Sequence, residues 1–329
     1  MTAGQSQGQV GVIGLGTMGG QIARHLLTAG YPVLGRDVEP TARDAHAAAG
    51  GSLADSAADV AAKADIVLLS LPSVHAFEDV VNGEDGLIAR ARPGTVVVEA
   101  STLPLDVKER AHRRLAEYGV ELLDCPISGT GAQLRTKDVA VYASGDAAAL
   151  QRVGSVIEAF SRTWVDLGAF GNGTKLKLVA NLLVAIHNVA AAEALLVAER
   201  AGLEPRAALA ALTAGAGTSR MLEVRGPLMV DEAYGEATMR VRTFQKDLDI
   251  IAGFARDLRC PTPLFSTAVQ VHLAALAQGH ADEDTASVMA VLKLLSGESG
   301  DAEPGKTGDA PRPAVHRATD DRATKVTSE

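Results

Sequence analysis

Aromatic side chains are scarce in this chain: Phe, Trp and Tyr make up 3% of its 329 residues. Large rings cannot fill its cores, which must be built mainly from Ala, Val and Leu. Cysteine is nearly missing as well. Cys125 and Cys260 are the only two, too few for a disulfide framework, so a reducing cytoplasm is the expected compartment. Basic residues are not in excess. The formal net charge of −9 argues against a nucleic-acid partner, which would need a basic stripe. No run of 18 or more apolar residues occurs, so no membrane partner is expected. The opening "MTAGQSQGQ" lacks the apolar centre of a signal peptide.

What is present suits a globular protein of two domains. The length exceeds that of one ordinary domain, and 47% hydrophobic against 22% charged residues supports proper cores. In the first half, short apolar runs alternate with Ala-rich helical stretches. "VGVIGLG" (10–16), "PVLGRD" (32–37), "DIVLLSLP" (65–72), "TVVVEAS" (95–101) and "ELLDCPIS" (121–128) read as buried strands, with "VAVYASG" (139–145) and "RTWVDLG" (162–168) as further ones. Such alternation predicts βαβ units and an α/β, Rossmann-type, doubly wound and mostly parallel sheet.

Near residue 170 the pattern changes to helices alone. Residues 174–202 contain no Pro or Gly before Gly202, enough for one helix of roughly 40 Å. A helix of that length is expected to bridge domains or pack against a second subunit. Past residue 297 the chain is rich in Gly, Pro and mixed charge, which predicts a disordered tail. The expected organisation is a flexible N-terminus (1–8), a nucleotide-binding domain (9–169), an all-α domain for substrate and dimerisation (170–296) and the tail (297–329).

"GLGTMG" places Gly14, Gly16 and Gly19 in the G-x-G-x-x-G spacing, after an apolar strand and before a helix. In that context Gly14 makes the tight turn and Gly16 lets a pyrophosphate approach the backbone. Gly19 lets the helix pack closely, with its N-terminus facing the anion. Gly14, Leu15, Gly16, Thr17, Met18 and Gly19 form the expected cradle. Asp37 lies 21 residues past Gly16, where a carboxylate accepts from a ribose diol and repels a 2′-phosphate. Arg36 points to the other face of a strand, and Val38 offers a phosphate nothing. NAD is therefore favoured over NADP, although a plain loop aspartate fits the same position.

"DCPISGTG" ends a strand in Ser128, Gly129, Thr130 and Gly131. A hydroxyl and free backbone N–H groups at a strand's carboxyl end suit a small carboxylate; a mere turn also fits. In "GNGTKLKLVANLL", Lys177 and Asn181 share a helix face and Asn188 continues the line, while Lys175 projects about 200° away. Lys177 either snorkels to solvent or lines a polar cleft, because a buried unpaired lysine is costly. Spacing alone leaves both open.

Taken in order, "GLGTMGGQIARHLLTAGYPVLGRD", "DCPISGTGAQLRTKD", "GNGTKLKLVANLL" and "FQKDLDI" resemble the β-hydroxyacid dehydrogenase family. That family includes 3-hydroxyisobutyrate dehydrogenases, tartronate semialdehyde reductases and L-threonate dehydrogenases. The likeness runs from about residue 9 to 296. It implies that Lys177 is the catalytic lysine, that Asn181 is its companion amide, and that Ser128, Gly129 and Thr130 clamp the substrate carboxylate. Leu71, Pro72 and Thr102 resemble cofactor contacts, and Lys246 resembles the lysine reaching the nicotinamide and substrate, with Asp247 beside it. The Asp37-Val38 pair has the form typical of NAD-using members.

Several positions depart from the pattern. Thr130 replaces the second Gly of S-G-G, Lys137 stands where a Gly ends the motif, and Ala180 replaces the first Asn of a pair. Arg220 occupies a position that is often aromatic. With Arg135 it could recharge the substrate pocket, although two surface arginines are the better expectation.

The implied activity is NAD-dependent hydride transfer between a small anionic hydroxy acid and its semialdehyde or keto form, with lysine as general acid and base. No metal site is expected, and the partners are the substrate and a second copy of the chain in a homodimer or homotetramer. Two other readings stand beside this one: an imine reductase-like enzyme, whose group generally replaces the lysine, and a non-catalytic NAD-binding protein.

Overall fold

Six strands form the first sheet: β1 (Val10–Ile13), β2 (Val33–Arg36), β3 (Ser52–Leu53), β4 (Ile66–Leu69), β5 (Val96–Glu99) and β6 (Glu121–Asp124). They lie in the order β3-β2-β1-β4-β5-β6, every pair parallel. The structure, a computed structural model, describes residues 8–297. Apart from one residue each, the two expected terminal segments lie outside the described residues.

The apolar runs are continuous because helices cover both faces. Val10, Val12, Leu68, Val96 and Val98 enter one core and Val67, Leu69 and Val97 the other. Each such side chain contributes about 1.5–3 kcal/mol by leaving water. Aromatics are few here too, and Phe77 and Phe160 are the large rings buried in these two layers.

One expectation is corrected, and one strand is new. "ELLDCPIS" is not one strand. β6 stops at Asp124, and Ile127–Ser128 (β7) joins a second sheet with β8 (Ala140–Ala143) and β9 (Thr163–Asp166). Pro126 has no N–H to donate, so the ladder cannot run through it. β3 was not expected at all: it has two exposed residues and no apolar run to mark it.

The long helix spans Asn172–Arg200, beginning and ending two residues before the expected bounds. By length and mean hydropathy, 1.6 over 18 residues, it could cross a membrane. Here it is the spine of the helical domain. Leu178, Ala185 and Val189 pack with Phe244, Leu248 and Phe265, and Ala191, Ala192 and Leu195 with Leu222 and Met229. Its first turn is anchored to the sheet domain: Gly173 N–H donates to Ser144 Oγ at 2.9 Å, and Thr174 N–H to Asp124 Oδ2 at 2.7 Å.

Candidate active site

The Gly-rich turn depends on close backbone approach. Gly14 follows β1 at φ +88°, in the left-handed region that glycine enters freely. A Cβ on Gly19 would lie 1.8 Å from the Gly14 carbonyl oxygen, so any side chain there pushes the helix Gly19–Thr28 off the turn. A Cβ on Gly16 would meet nothing. That backbone faces open space, which fits a pyrophosphate.

Asp37 follows β2 and braces this turn. Its Oδ2 accepts from Leu15 N–H at 2.5 Å and its Oδ1 from Glu39 N–H at 2.8 Å. Each oxygen keeps a lone pair, so a ribose diol can still be bound. Val38 is exposed. The Arg36 guanidinium donates to the Asp37 main-chain carbonyl. Leu15 is buried, so only its backbone can serve the cradle. Thr17 is exposed and Met18 half-buried.

The stretch expected to clamp a carboxylate sits beside this turn, with the Thr17 methyl packed against Gly131. Ser128 ends β7, and Gly129 is at φ +140°. Thr130 caps the short helix Gly131–Arg135 through a capping box: its Oγ1 accepts from Gln133 N–H, and its own N–H donates to Gln133 Oε1 at 3.0 Å. The Thr130 N–H is thereby spent within its own helix cap.

Lys137 lies at φ +59°, a conformation that favours the glycine it replaces. Arg220 pairs with Asp138 at 3.0 Å and Glu223 at 2.9 Å. It is therefore neutralised, and it bridges the clamp region to the helical domain. Arg135 is exposed on the short helix.

Lys177 does not snorkel to solvent. It is 9% exposed, with Asn181 and Asn188 buried on the same face, whereas Lys175 is exposed and its Nζ donates to Asn172 Oδ1. Asn188 is not at the reacting end, for its Nδ2 donates to the Thr285 carbonyl at 2.7 Å. Burial lowers the Lys177 pKa to about 8; Asp247 opposes the shift and Lys246 adds to it.

Asp247 is buried and accepts from Asn181 Nδ2 at 3.1 Å. Its pKa is raised by desolvation, against the pull of Lys246 and Lys177. Lys246 Nζ donates to the Thr102 carbonyl at 2.8 Å, closing the helical domain onto the loop after β5. Leu71 and Pro72 follow β4 nearby in the sheet order, and Leu71 N–H donates to Ser101 Oγ at 2.8 Å. The loops after β4 and β5 and the helix Val241–Asp257 that carries Lys246 are thus brought together.

A group the sequence reading missed lies beneath them. Lys108 is fully buried, with Nζ 2.6 Å from Glu99 Oε2 and 2.9 Å from Asp124 Oδ1. One signal was available: Lys108 falls at i, i+3, i+7 with Ala111 and Leu115, on the apolar face of its helix.

The glycine turn, the carboxylate and the two loops together line the carboxyl ends of β1, β2, β4 and β5, the arrangement of a dinucleotide-binding sheet. The comparisons agree. Residues 9–169 match the family model for the NAD-binding domain of 6-phosphogluconate dehydrogenase, and residues 171–292 match that for the corresponding domain of NADP-dependent 3-hydroxyisobutyrate dehydrogenase. An L-threonate dehydrogenase of Cupriavidus necator is 36% identical over 88% of this chain and 96% of its own length. An NAD-dependent L-serine dehydrogenase of Pseudomonas aeruginosa is 32% identical over 88% of this chain and 99% of its own. The crystal structure of a 3-hydroxyisobutyrate dehydrogenase from Salmonella typhimurium superposes with a TM-score of 0.78 at 32% identity, covering 87% of this chain and all of that one. The chain belongs to the β-hydroxyacid dehydrogenase family, and it is an NAD(P)-dependent hydroxy-acid dehydrogenase.

Proposed function

We propose that this enzyme oxidises a small 3-hydroxy acid reversibly, with Lys177 as general base in oxidation and general acid in reduction. One observation carries the assignment: a lysine buried on the same helix face as Asn181, with its pKa brought to about 8, facing the charges of Asp247 and Lys246. When bound, NAD accepts or returns the hydride.

The chain supplies the rest. Ser128 and the Gly129 N–H hold the carboxylate, which presents the carbinol to the Lys177 amine. Neutral Lys177 takes the hydroxyl proton during oxidation. Asn181, itself held by Asp247, orients the amine or the hydroxyl. Lys246 adds positive charge that favours the neutral amine and keeps the cleft closed at Thr102. Lys177 stands against the imine-reductase reading, and the full set of site groups stands against a non-catalytic one.

The substrate we would place first is a polyhydroxy acid of the L-threonate type, given the relative most similar in sequence reported above. Initial rates on 3-hydroxyisobutyrate, D-glycerate, L-threonate, 4-hydroxybutyrate, L-serine and a sulfonate analogue decide it. Activity on cyclic imines with none on these acids overturns the class.

The pH dependence follows from the sign of the lysine shift. For oxidation the required form is the neutral amine, so kcat rises as pH passes about 8 and levels off above it. For reduction the required form is the ammonium, and kcat falls over the same interval. Stopped-flow or steady-state profiles in both directions check this, and an oxidation rate that falls through that range removes the role.

NAD is the preferred cofactor in this reading, because Asp37 repels a 2′-phosphate and Val38 cannot bind one. The expected result is a higher kcat/KM with NAD than with NADP, and Asp37→Ala narrows the ratio. A wild-type preference for NADP refutes the argument.

The assembly is a homodimer or homotetramer built on the long helix. Leu176, Val179, Leu183 and Val197 leave 37–69% of their surface exposed along it, and the first three recur at helical spacing. Light scattering should give two or four chains; a monomer at working concentration would be the contrary result. A cytoplasmic location completes the reading, supported by Cys125 buried in the sheet domain and Cys260 exposed on the helical one, both free thiols.

A further inference from the structure

Glu99 and Asp124 are register partners at the ends of adjacent parallel strands, so two carboxylates project side by side into a dry interior. Lys108 fills the space between them, and all three side chains are fully buried. Stability alone does not account for this arrangement. Three desolvated charges cost several kcal/mol each, and well-packed apolar groups of the same volume often do as well or better. Burial works against the ammonium, but Asp124 and Glu99 outweigh it and keep Lys108 charged.

The directions of the remaining oxygens are informative. Glu99 Oε1 accepts from Ser101 N–H at 2.9 Å, and Ser101 Oγ accepts from Leu71 N–H at 2.8 Å. Those are the loops after β5 and β4, on the cofactor side. Asp124 Oδ1 accepts from Thr174 Oγ1 and its Oδ2 from Thr174 N–H, both at 2.7 Å. Thr174 lies in the first turn of the long helix, three residues before Lys177. A carboxylate there also complements the positive end of the helix. Ser144 completes the seat, accepting from Gly173 N–H and donating to Asp124.

We propose that Glu99, Lys108 and Asp124 form a positioning strut that registers the first turn of the long helix, and with it Lys177, against the loops that hold the cofactor. The strut touches neither substrate nor cofactor. Its effect on the reaction passes through the placement of the Lys177 amine, so the inference rests on the proposed role of Lys177.

The test compares Thr174→Ala with Thr174→Ser, which differ by the one hydroxyl that reaches Asp124. The substrate is the panel compound turned over fastest, and NADH titration counts folded sites. Thr174→Ala should lose about tenfold in kcat per NADH-binding site, because small misplacements near the reacting atoms are expensive. KM and NADH affinity should stay within about twofold, the pattern of an interaction realised in the transition state. The pH at which oxidation levels off should move, and Thr174→Ser should restore both kcat and that pH.

If kcat per site and the pH profile are unchanged in Thr174→Ala, the strut is merely structural and the inference is overturned. Should Thr174→Ala fail to fold, Ser144→Ala, which removes the acceptor for Gly173 N–H, is measured against the same criteria. Lys177→Ala is run alongside. If it keeps its turnover, the lysine reading and the strut fall together. If it is inactive while the Thr174 variant behaves as wild type, the strut alone falls.

Discussion

Lys177→Ala is expected to lower kcat by about 10³-fold or more while NADH still binds with near wild-type affinity. General acid–base catalysis by one positioned group contributes about 10²–10⁴-fold, and this site has no obvious deputy. Asp247 carries a raised pKa but already accepts from Asn181, and Lys246 is committed to the Thr102 carbonyl. The cofactor cradle lies on other elements, so binding survives. Lys177→Met makes the case sharper because it keeps the length of the stem. In the folded wild type, lowering the pKa from 10.5 to about 8 penalises the ammonium. The cost is on the order of 3 kcal/mol below pH 8 at 1.36 kcal/mol per unit. The unfolded chain holds the proton up to 10.5, so wild-type stability rises as pH climbs from about 8 toward that value. Lys177→Met escapes the penalty and should melt higher than wild type at pH 7, with the difference shrinking at alkaline pH. A dead and more stable variant is the signature of a lysine kept for chemistry. Calorimetry across that range, beside the kinetics, reads both effects; retained turnover removes the assignment.

Much of this site was legible in the linear order of residues because its local parts obey short-range rules. The Gly14–Gly19 turn, the carboxylate after β2 and the Lys177–Asn181 pair each follow from a spacing within one strand–turn–helix or one helix. The split of "ELLDCPIS" could have been read from Pro126, a residue that donates nothing to a ladder. β3 left no trace, since an exposed edge of two residues needs no apolar pattern. Long-range partners were the harder part. Asp138 and Arg220 are 82 residues apart and Asn181 and Asp247 are 66, and no periodicity reports such pairings. Thr130 shows the same limit at short range. Its departure from glycine was visible, but its N–H being consumed by Gln133 depends on the rotamer the fold selects.

Lys108→Met is the second large effect expected, and it bears on stability. Lys108 came out of a helix whose other buried residues are Val107, Ala111 and Leu115, and its burial makes sense only with two carboxylates facing it. Removing the ammonium leaves Glu99 and Asp124 beside each other at register positions, desolvated and without a counter-charge. Breaking a buried pair in this way typically costs about 3–5 kcal/mol, which lowers Tm by on the order of ten degrees in a chain of this size. The comparison that isolates charge from packing is the neutral set Glu99→Gln, Lys108→Met and Asp124→Asn made together. It keeps the volumes, and each amide oxygen can still accept one bond, from Ser101 N–H and from Thr174 N–H, while the Thr174 hydroxyl turns to accept from the amide N–H that replaces Asp124 Oδ1. Its Tm should recover most of the loss, because the penalty lies in the orphaned carboxylates rather than in the missing contacts. A Lys108→Met protein that melts like wild type would mean the three groups do not share a dry site, and the strut would lose its physical basis. A neutral set that melts normally but turns over slowly would instead separate the two roles, with folding tolerant of the exchange and the placement of Lys177 dependent on the charges.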